Sequence, residues 1–198
     1  MTKKALVLLA QGFEEVEAVT PIDYLRRAGL DVTAAAVGET RLVTGSHGIS
    51  IQADTTLAEL AEKAGGISRL CLSLDALLLP GGLPGAPNLA ASGDVTALTG
   101  AMVRGGKITA AICASPALVL APLGLLEGRR FTCYPGMEKD IAGGFWSEEP
   151  VVIDGKLITS RGAGTAASFA VAIIGELLGE AAGRNIARSV LLPQAAGL

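Results

Sequence analysis

An α/β fold with a doubly wound, mostly parallel sheet is the architecture that this sequence of 198 residues predicts. Several short apolar runs show no alternation of apolar and polar residues, which is typical of strands buried on both faces of a parallel sheet. Helical stretches fall between these runs, and such an alternation favours helices on both faces. The length suits one domain, residues 1–198, and we find no repeat, low-complexity tract or linker to divide it.

The apolar runs and the stretches between them give the elements in chain order. The predicted strands are Ala5–Leu9, Val32–Val37, Ala76–Leu79 and Ile108–Ile112. Glycines stand just after two of the predicted helices, where they favour a helix end. The predicted helices are Glu14–Ala28, Asp94–Arg104, Pro116–Leu120, Thr165–Leu178 and a weaker stretch to about Val190.

Two segments break the alternation and predict hairpins. Arg41–Ser50 has apolar residues on both sides of Thr44-Gly45-Ser46. Val151–Ser160 is the stronger case, because Asp154-Gly155 between two apolar runs is a signal for a type I′ turn.

Composition and charge exclude several classes of function. Half of the residues are hydrophobic, aromatic residues make up 4%, and the net charge is −3, with no run of basic residues. Nucleic-acid binding is therefore not expected. The longest apolar stretches, around residues 110–112 and 117–126, fall short of the roughly 20 residues that a membrane span needs, so no membrane role is expected.

The N-terminus and the cysteines indicate the compartment. Lys3-Lys4 precedes a short apolar run that is followed at once by glutamates, so we interpret it as a first strand rather than a targeting signal. Three cysteines, Cys71, Cys113 and Cys133, fit free thiols in a reducing compartment better than a disulfide framework. We expect a cytoplasmic protein.

Cys113 is the first candidate for chemistry. It ends an apolar strand, and Pro116 is suited to begin a helix, so the thiol is predicted at a turn from strand to helix. The unpaired N–H groups and partial positive charge of a helix N-terminus would favour a thiolate. A buried structural cysteine is an equally good interpretation of this local context.

Glu17 and a glycine pair follow the ends of two other predicted strands. Glu14 and Glu15 fit simple compensation of a helix dipole, whereas Glu17 can reach Cys113 if the two strand ends are neighbours. Gly82, after Leu79-Pro80-Gly81, could supply half of an oxyanion hole, with the Ala114 N–H as the other half. Taken alone, the glycine pair is better explained as an ordinary loop.

Ser160-Arg161-Gly162-Ala163-Gly164-Thr165 precedes the last long predicted helix. It could be an anion-binding turn at a helix N-terminus. A helix cap with an exposed arginine is at least as good an explanation, and no Gly-Lys-Ser/Thr follows that would make it a Walker loop.

These four motifs in this order closely resemble the ThiJ/PfpI superfamily, in the branch of the Parkinson-disease-associated protein (DJ-one), and suggest a bacterial-type member. The resemblance covers about Lys4 to Leu192. It implies a flavodoxin-like three-layer sandwich of class I glutamine amidotransferase-like architecture, a homodimer, and no metal or cofactor. It also implies that Cys113 is the oxidation-prone nucleophile, Glu17 its acid partner, and Gly82 and Ala114 its backbone donors. Arg27, His47 and Tyr134 are the candidates for substrate binding or for the dimer interface near the site.

Departures from the family pattern narrow the chemistry. Ala114 stands where the protease branch has a histidine after the cysteine, and Tyr134 stands where other members have a histidine before a proline. His47 is the single histidine of the chain, so a Cys-His-acid triad within one chain is not expected. Cys133 is either a resolving thiol for Cys113 or, more simply, a buried cysteine.

The resemblance implies three alternative functions. The first is a glutathione-independent glyoxalase or deglycase that acts on a small reactive 2-oxoaldehyde such as methylglyoxal through Cys113 and Glu17. The second is a redox sensor or stress chaperone that works by oxidation of Cys113. The third and weakest is a hydrolase that uses His47 from a partner chain.

Overall fold

A computed structural model describes residues 2–193 and shows a central sheet with helices on both faces. The strands are β1 (Lys4–Leu9), β2 (Asp31–Ala36), β3 (Leu42–Thr44), β4 (Ser50–Gln52), β5 (Thr55–Thr56), β6 (Ala76–Leu79), β7 (Ile108–Ile112), β8 (Arg130–Phe131), β9 (Phe145–Trp146), β10 (Val151–Asp154) and β11 (Leu157–Ser160). The helices are α1 (Glu15–Arg27), α2 (Leu57–Ala64), α3 (Ile67–Ser73), α4 (Gly85–Ala91), α5 (Gly93–Arg104), α6 (Ala166–Leu178) and α7 (Glu180–Ser189).

The sheet order brings three strand ends together. Seven strands pair in the order β10-β11-β7-β6-β1-β2-β5, and every neighbouring pair is parallel except β10 with β11. The mostly parallel α/β sandwich predicted from the sequence is therefore confirmed. Because β1, β6 and β7 are adjacent and parallel, the segments that follow them leave the sheet at the same edge.

Two apolar layers cover the sheet. In β1, Val7 and Leu9 pack in the layer that holds α1 and α6, whereas Leu6 and Leu8 pack in the layer that holds α3 and α5. All five residues of β7 are buried. This burial on both faces explains why the strand sequences show no alternation. None of the helices in residues 2–193 combines the length and the apolar character needed to cross a bilayer.

The predicted strands and long helices are confirmed to within one or two residues at their ends. The stretch Pro116–Leu120 is a single turn of π-helix that continues into a 3₁₀ turn at Ala121–Leu123, rather than an α-helix. Helices α2, α3 and α4 were not predicted. The capping box at the start of α2, in which Thr56 and Glu59 bond each other's backbone N–H, was the signal that could have located it.

Both predicted hairpins are present, with different turns. Strand β4 extends to Gln52, beyond the predicted limit of the first hairpin. In the second, Asp154 pairs with Leu157, so the loop is Gly155-Lys156 and the prediction of an Asp154-Gly155 type I′ turn is wrong. Gly155 has φ +60° but Lys156 does not have positive φ, which fits a type II′ turn. Asp154 stays in the strand, where its carboxylate accepts the Arg130 N–H at 2.8 Å.

Candidate active site

Cys113 lies at a sharp turn directly after β7, as the sequence predicts. Its φ is +65°, a left-handed conformation that is uncommon for a residue other than glycine and costs on the order of 1–3 kcal/mol. Two backbone hydrogen bonds hold it there. The Cys113 N–H donates to Ser160 O at 2.9 Å, and the Tyr134 N–H donates to Cys113 O at 2.8 Å. Cys113 as a whole is half-buried, so the fold fixes its backbone without burying the residue completely.

The loop after β6 is bonded to both the Cys113 turn and the start of α1. The buried Ser115 hydroxyl donates to Pro80 O at 2.6 Å. The Gly81 N–H donates to Glu17 Oε2 at 2.9 Å, and the Glu14 N–H donates to Gly81 O at 3.0 Å. The structure therefore brings Glu17, the glycine loop and Cys113 together, as expected from the shared sheet edge.

Gly81 and Gly82 of this loop have no side chains, and this leaves the space in which Cys113 and Glu17 lie. A Cβ on Gly81 would lie 2.6 Å from Cys113 Cβ and 2.7 Å from Glu17 Oε2, so a side chain there would collide with both groups. Gly82 has φ +91°, and a Cβ on it would collide with the backbone of Gly12 and Glu14. Any other residue at either position would push the loop away from the sulfur.

Burial dominates the titration of Glu17. The side chain is almost completely inaccessible, and this desolvation raises its pKa to about 7, against the opposing effect of the Cys113 thiol and the Gly81 N–H. Repulsion from Glu14 adds to the rise. Among the residues that the structure describes, its Oε1 accepts no N–H or O–H hydrogen bond, and the neighbouring thiol of Cys113 is the side chain that bonds to this carboxyl. A carboxyl with a pKa near 7 can both accept and donate a proton at neutral pH.

The Cys113 thiol is not a ready-made thiolate. Burial, together with the negative charge and hydrogen bonding of Glu17, raises its pKa to about 12, although the N–H groups of Gly82 and Ala114 act in the opposite direction. The expectation of a lowered thiol pKa is therefore wrong for the free site, because burial and Glu17 outweigh the donors. Cys113 and Glu17 do not both carry a negative charge at neutral pH. The pair therefore retains one proton until the sulfur forms a bond to an electrophile.

Arg27 and His47 are both exposed and both are bonded to acids. Arg27 Nε donates to Asp23 Oδ2 at 2.7 Å, and this bond raises the pKa of Arg27. His47 Nδ1 lies 2.9 Å from Glu15 Oε2, a contact that raises the pKa of His47. Among residues 2–193, His47 is not one of the groups that change the pKa of the Cys113 thiol. Whether either residue faces a partner chain stays a prediction.

Glu15 has a role that the sequence did not reveal. Its Oε1 accepts the N–H groups of His47 at 2.8 Å and Ile49 at 3.3 Å, so it fastens the β3–β4 hairpin to α1. Burial alone would raise its pKa, but the His47 ring and these backbone donors outweigh burial and lower it to about 2. Glu14, Glu15 and His47 place their ligand atoms within 4.8 Å of one another, an arrangement that this clamp explains without a metal.

Cys133 is fully buried in the apolar layer of Leu126 and Phe131, and this burial raises its pKa to about 11. Cys113 packs instead beside the opposite layer. This arrangement favours the simpler interpretation of Cys133 as a buried cysteine.

Tyr134 is exposed beside the Cys113 turn and lines an open groove of about 490 Å³. The other lining residues are Pro135, Glu148, Pro150, Arg161, Gly162, Ala163, Gly164 and Thr165. Residues 161–165, for which the sequence left open an anion-binding turn or a helix cap, form one wall of this groove. Its Arg161 guanidinium donates to Glu148 O at 2.9 Å.

Comparison with known proteins shows one family. The profile of the DJ-1/PfpI family matches residues 3–176. Protein DJ-1 homolog B of Arabidopsis thaliana is 42% identical over 180 residues, which are 90% of this chain and 39% of that protein, so the chain spans about two fifths of that relative's length. A protein of Pyrococcus horikoshii named as a deglycase is 34% identical over 161 residues, 80% of this chain and 89% of that protein. The structure of oxidized DJ-1 from Toxoplasma gondii is similar, with a TM-score of 0.90, 35% identity, and coverage of 98% of this chain and all of that one.

Proposed function

Because the chain belongs to the DJ-1/PfpI family, we propose that it is a cysteine-dependent stress-response enzyme of the cytoplasm. It acts without glutathione on 2-oxoaldehydes such as methylglyoxal, as a glyoxalase III-type enzyme. If the aldehyde is carried as an adduct on an amine, the same chemistry makes it a deglycase, the activity named for the Pyrococcus relative. The observation that carries this proposal is the partly exposed Cys113 thiol beside a buried carboxyl whose pKa is near neutral.

The first step forms a bond between sulfur and carbon. Glu17 takes the thiol proton while the sulfur attacks the aldehyde carbon, and Glu17 then returns this proton to the former carbonyl oxygen to give a thiohemiacetal. The N–H groups of Gly82 and Ala114 face the sulfur and stabilise negative charge first there and then on the adjacent oxygen. Such a donor is typically worth ~3 kcal/mol in the transition state.

The remaining steps need only water. Glu17 removes the hydrogen from the sulfur-bearing carbon and delivers a proton to the neighbouring ketone carbon, while the hydroxyl proton passes between the two oxygens. The product is a thioester of a 2-hydroxy acid, and water cleaves its C–S bond and restores the thiol. One carbon is oxidised and its neighbour reduced, so no external oxidant or reductant is required.

The test is lactate formation from methylglyoxal by the purified protein. Wild type and Cys71→Ala, which alters a buried thiol on α3, should both form lactate, and Cys113→Ala should form none. Glu17→Gln should lose most of the activity, because an amide cannot carry the proton. Lactate formation by Cys113→Ala at the wild-type rate would refute the mechanism.

A second function, a redox sensor or stress chaperone, is favoured by one observation. Of the three cysteines, Cys113 is partly exposed, whereas Cys71 and Cys133 are buried. Peroxide would oxidise its sulfur to a sulfenate and a second peroxide to a sulfinate, each releasing water. After mild peroxide, mass spectrometry should find two added oxygens on Cys113 alone. Equal oxidation of all three cysteines would contradict a tuned site.

A further inference from the structure

The groove beside Tyr134 adjoins the turn that holds Cys113, because the Tyr134 N–H donates to Cys113 O at 2.8 Å. A Cβ placed on Gly162 would have two neighbours within 4 Å, Tyr134 Cδ2 at 3.6 Å and Glu17 Oε1 at 3.8 Å. Gly162 therefore lies between the exposed Tyr134 ring and Oε1 of Glu17, which accepts no N–H or O–H hydrogen bond from the described residues. The groove wall at Gly162 therefore lies next to the buried Glu17 carboxyl, while Glu17 and Cys113 themselves do not line the groove.

Two of the polar side chains that line this groove, those of Thr165 and Arg161, form hydrogen bonds within the protein. Thr165 Oγ1 donates to Gly162 O at 2.9 Å and contacts Ser160 Oγ at 2.7 Å. The Arg161 guanidinium donates to the Glu148 carbonyl. The surface left for a ligand is the Tyr134 ring with the neighbouring Pro135, Pro150 and Ala163, and this surface is apolar and aromatic.

The size of the groove also exceeds the needs of a three-carbon aldehyde. An apolar cavity of about 150 Å³ is sufficient to hold benzene. The groove measures about 490 Å³ and is open, so it can hold a ring, while the two carbonyl carbons would lie beyond its lining, at Cys113.

From these observations we infer that the Tyr134 groove is a specificity subsite for an apolar, preferably aromatic, tail on the 2-oxoaldehyde. The inference rests on the proposed function and names the substrate class for that site. The dicarbonyl end lies at Cys113 and Glu17, and the tail extends past Gly162 to lie against the Tyr134 ring. Tyr134 is thus a specificity-determining residue.

The experiment compares phenylglyoxal with methylglyoxal as substrates of the purified protein. We expect wild type to have the higher kcat/KM for phenylglyoxal, and Tyr134→Phe to keep this preference because it keeps the ring. Tyr134→Leu should reduce the preference by about 2- to 10-fold, the range expected for one aromatic contact. Phe145→Leu, an exposed aromatic residue outside the groove, is the matched control and should leave the preference unchanged.

A variant at Gly162 tests whether the substrate tail passes this residue between Cys113 and Tyr134, without disturbing the fold. Gly162 has an extended backbone, and a methyl group there would be in ordinary van der Waals contact, so Gly162→Ala should fold normally. It should raise the KM for phenylglyoxal more than that for methylglyoxal, whereas Gly93→Ala, at an exposed position outside the groove that meets nothing within 4 Å, should change neither. Equal effects of Tyr134→Leu on both substrates, or no wild-type preference, would overturn the inference. Absence of turnover of either aldehyde would instead refute the proposed function.

Discussion

The Glu17 carboxyl has a folded-state pKa of about 7, compared with an ordinary value of 4.5. A group whose pKa is raised on folding contributes most to stability below its unfolded pKa, and that contribution is lost as the pH rises through the folded pKa. The protein therefore loses stability when Glu17 ionises, and it retains this residue at a cost in free energy. Such a cost is typical of a residue held for chemistry rather than for stability.

We predict that Glu17→Gln is more stable than wild type at pH 8. The wild type should lose stability relative to the variant between about pH 4.5 and 7, by up to about 3 kcal/mol at 1.36 kcal/mol per pKa unit, because only the wild type buries a charge. Urea unfolding at several pH values measures this difference. Glu62→Gln, on the surface of α2, is the control and should show no such trend. A difference that does not change with pH would contradict the raised pKa.

At this scale, the sequence predicted which residues meet but not their charge states. Cys113 and Glu17 followed from strand ends at one sheet edge and from the family pattern. The direction of the Cys113 pKa shift did not follow, because it depends on burial and on the distance to Glu17, and neither is written in the local sequence. Glu15 was taken as a helix-dipole residue for the same reason, since its partners His47 and Ile49 lie more than 30 residues away in the chain.

At the scale of elements, one hydrogen bond couples the turn after β7 to the loop after β6. The Ser115 hydroxyl donates to Pro80 O, two residues before the Gly82 N–H that faces the sulfur. Because both groups are buried, the carbonyl would lose its partner if the hydroxyl were removed. The position of one backbone donor thus depends on a side chain that does not touch the thiol.

We predict that Ser115→Ala lowers stability by ~1–3 kcal/mol and also lowers kcat for the aldehyde. Thr99→Ala is the matched control, because Thr99 donates a buried 2.7 Å hydrogen bond to Val95 O within α5, away from the site. It should lose less stability, because Val95 O keeps the helical N–H of Thr99, and it should keep the wild-type kcat. Thermal unfolding and steady-state kinetics on the three proteins measure both quantities. Equal loss of kcat in both variants would show that the effect is general destabilisation.

The strands and the long helices were predictable where the sequence carries a strong local pattern. Buried strands and the long helices were identified because apolar runs and glycine stops are local signals. Helix α4 was not predicted, because it has only seven residues, begins at Gly85 without a side-chain cap and is held by packing of its buried residues against the core. The turn of the second hairpin was displaced by one residue because the Asp154 carboxylate is bound by the Arg130 N–H.

At the scale of the whole molecule, we define an apolar patch by Val16, Val19 and Ile49. Val16 and Val19 lie about one turn apart on the exposed side of α1, and their exposed fractions are 47% and 46%. Ile49 is 60% exposed on the adjoining hairpin, whose Ile49 N–H is bonded to Glu15. We propose that this patch is the interface of a homodimer, because exposed apolar surface of this kind is typical of interaction sites.

We predict that Val19→Glu shifts the protein from dimer to monomer, because the introduced carboxylate would be buried without a partner at the interface. Sedimentation velocity at micromolar concentration measures the shift. Leu72→Glu, at a 76% exposed position on α3 behind the other face of the sheet, is the matched control and should remain dimeric. Since Val16 lies between Glu15 and Glu17, loss of the interface should also reduce aldehyde turnover. A monomeric wild type, or dissociation of both variants, would show that the interface lies elsewhere or does not form.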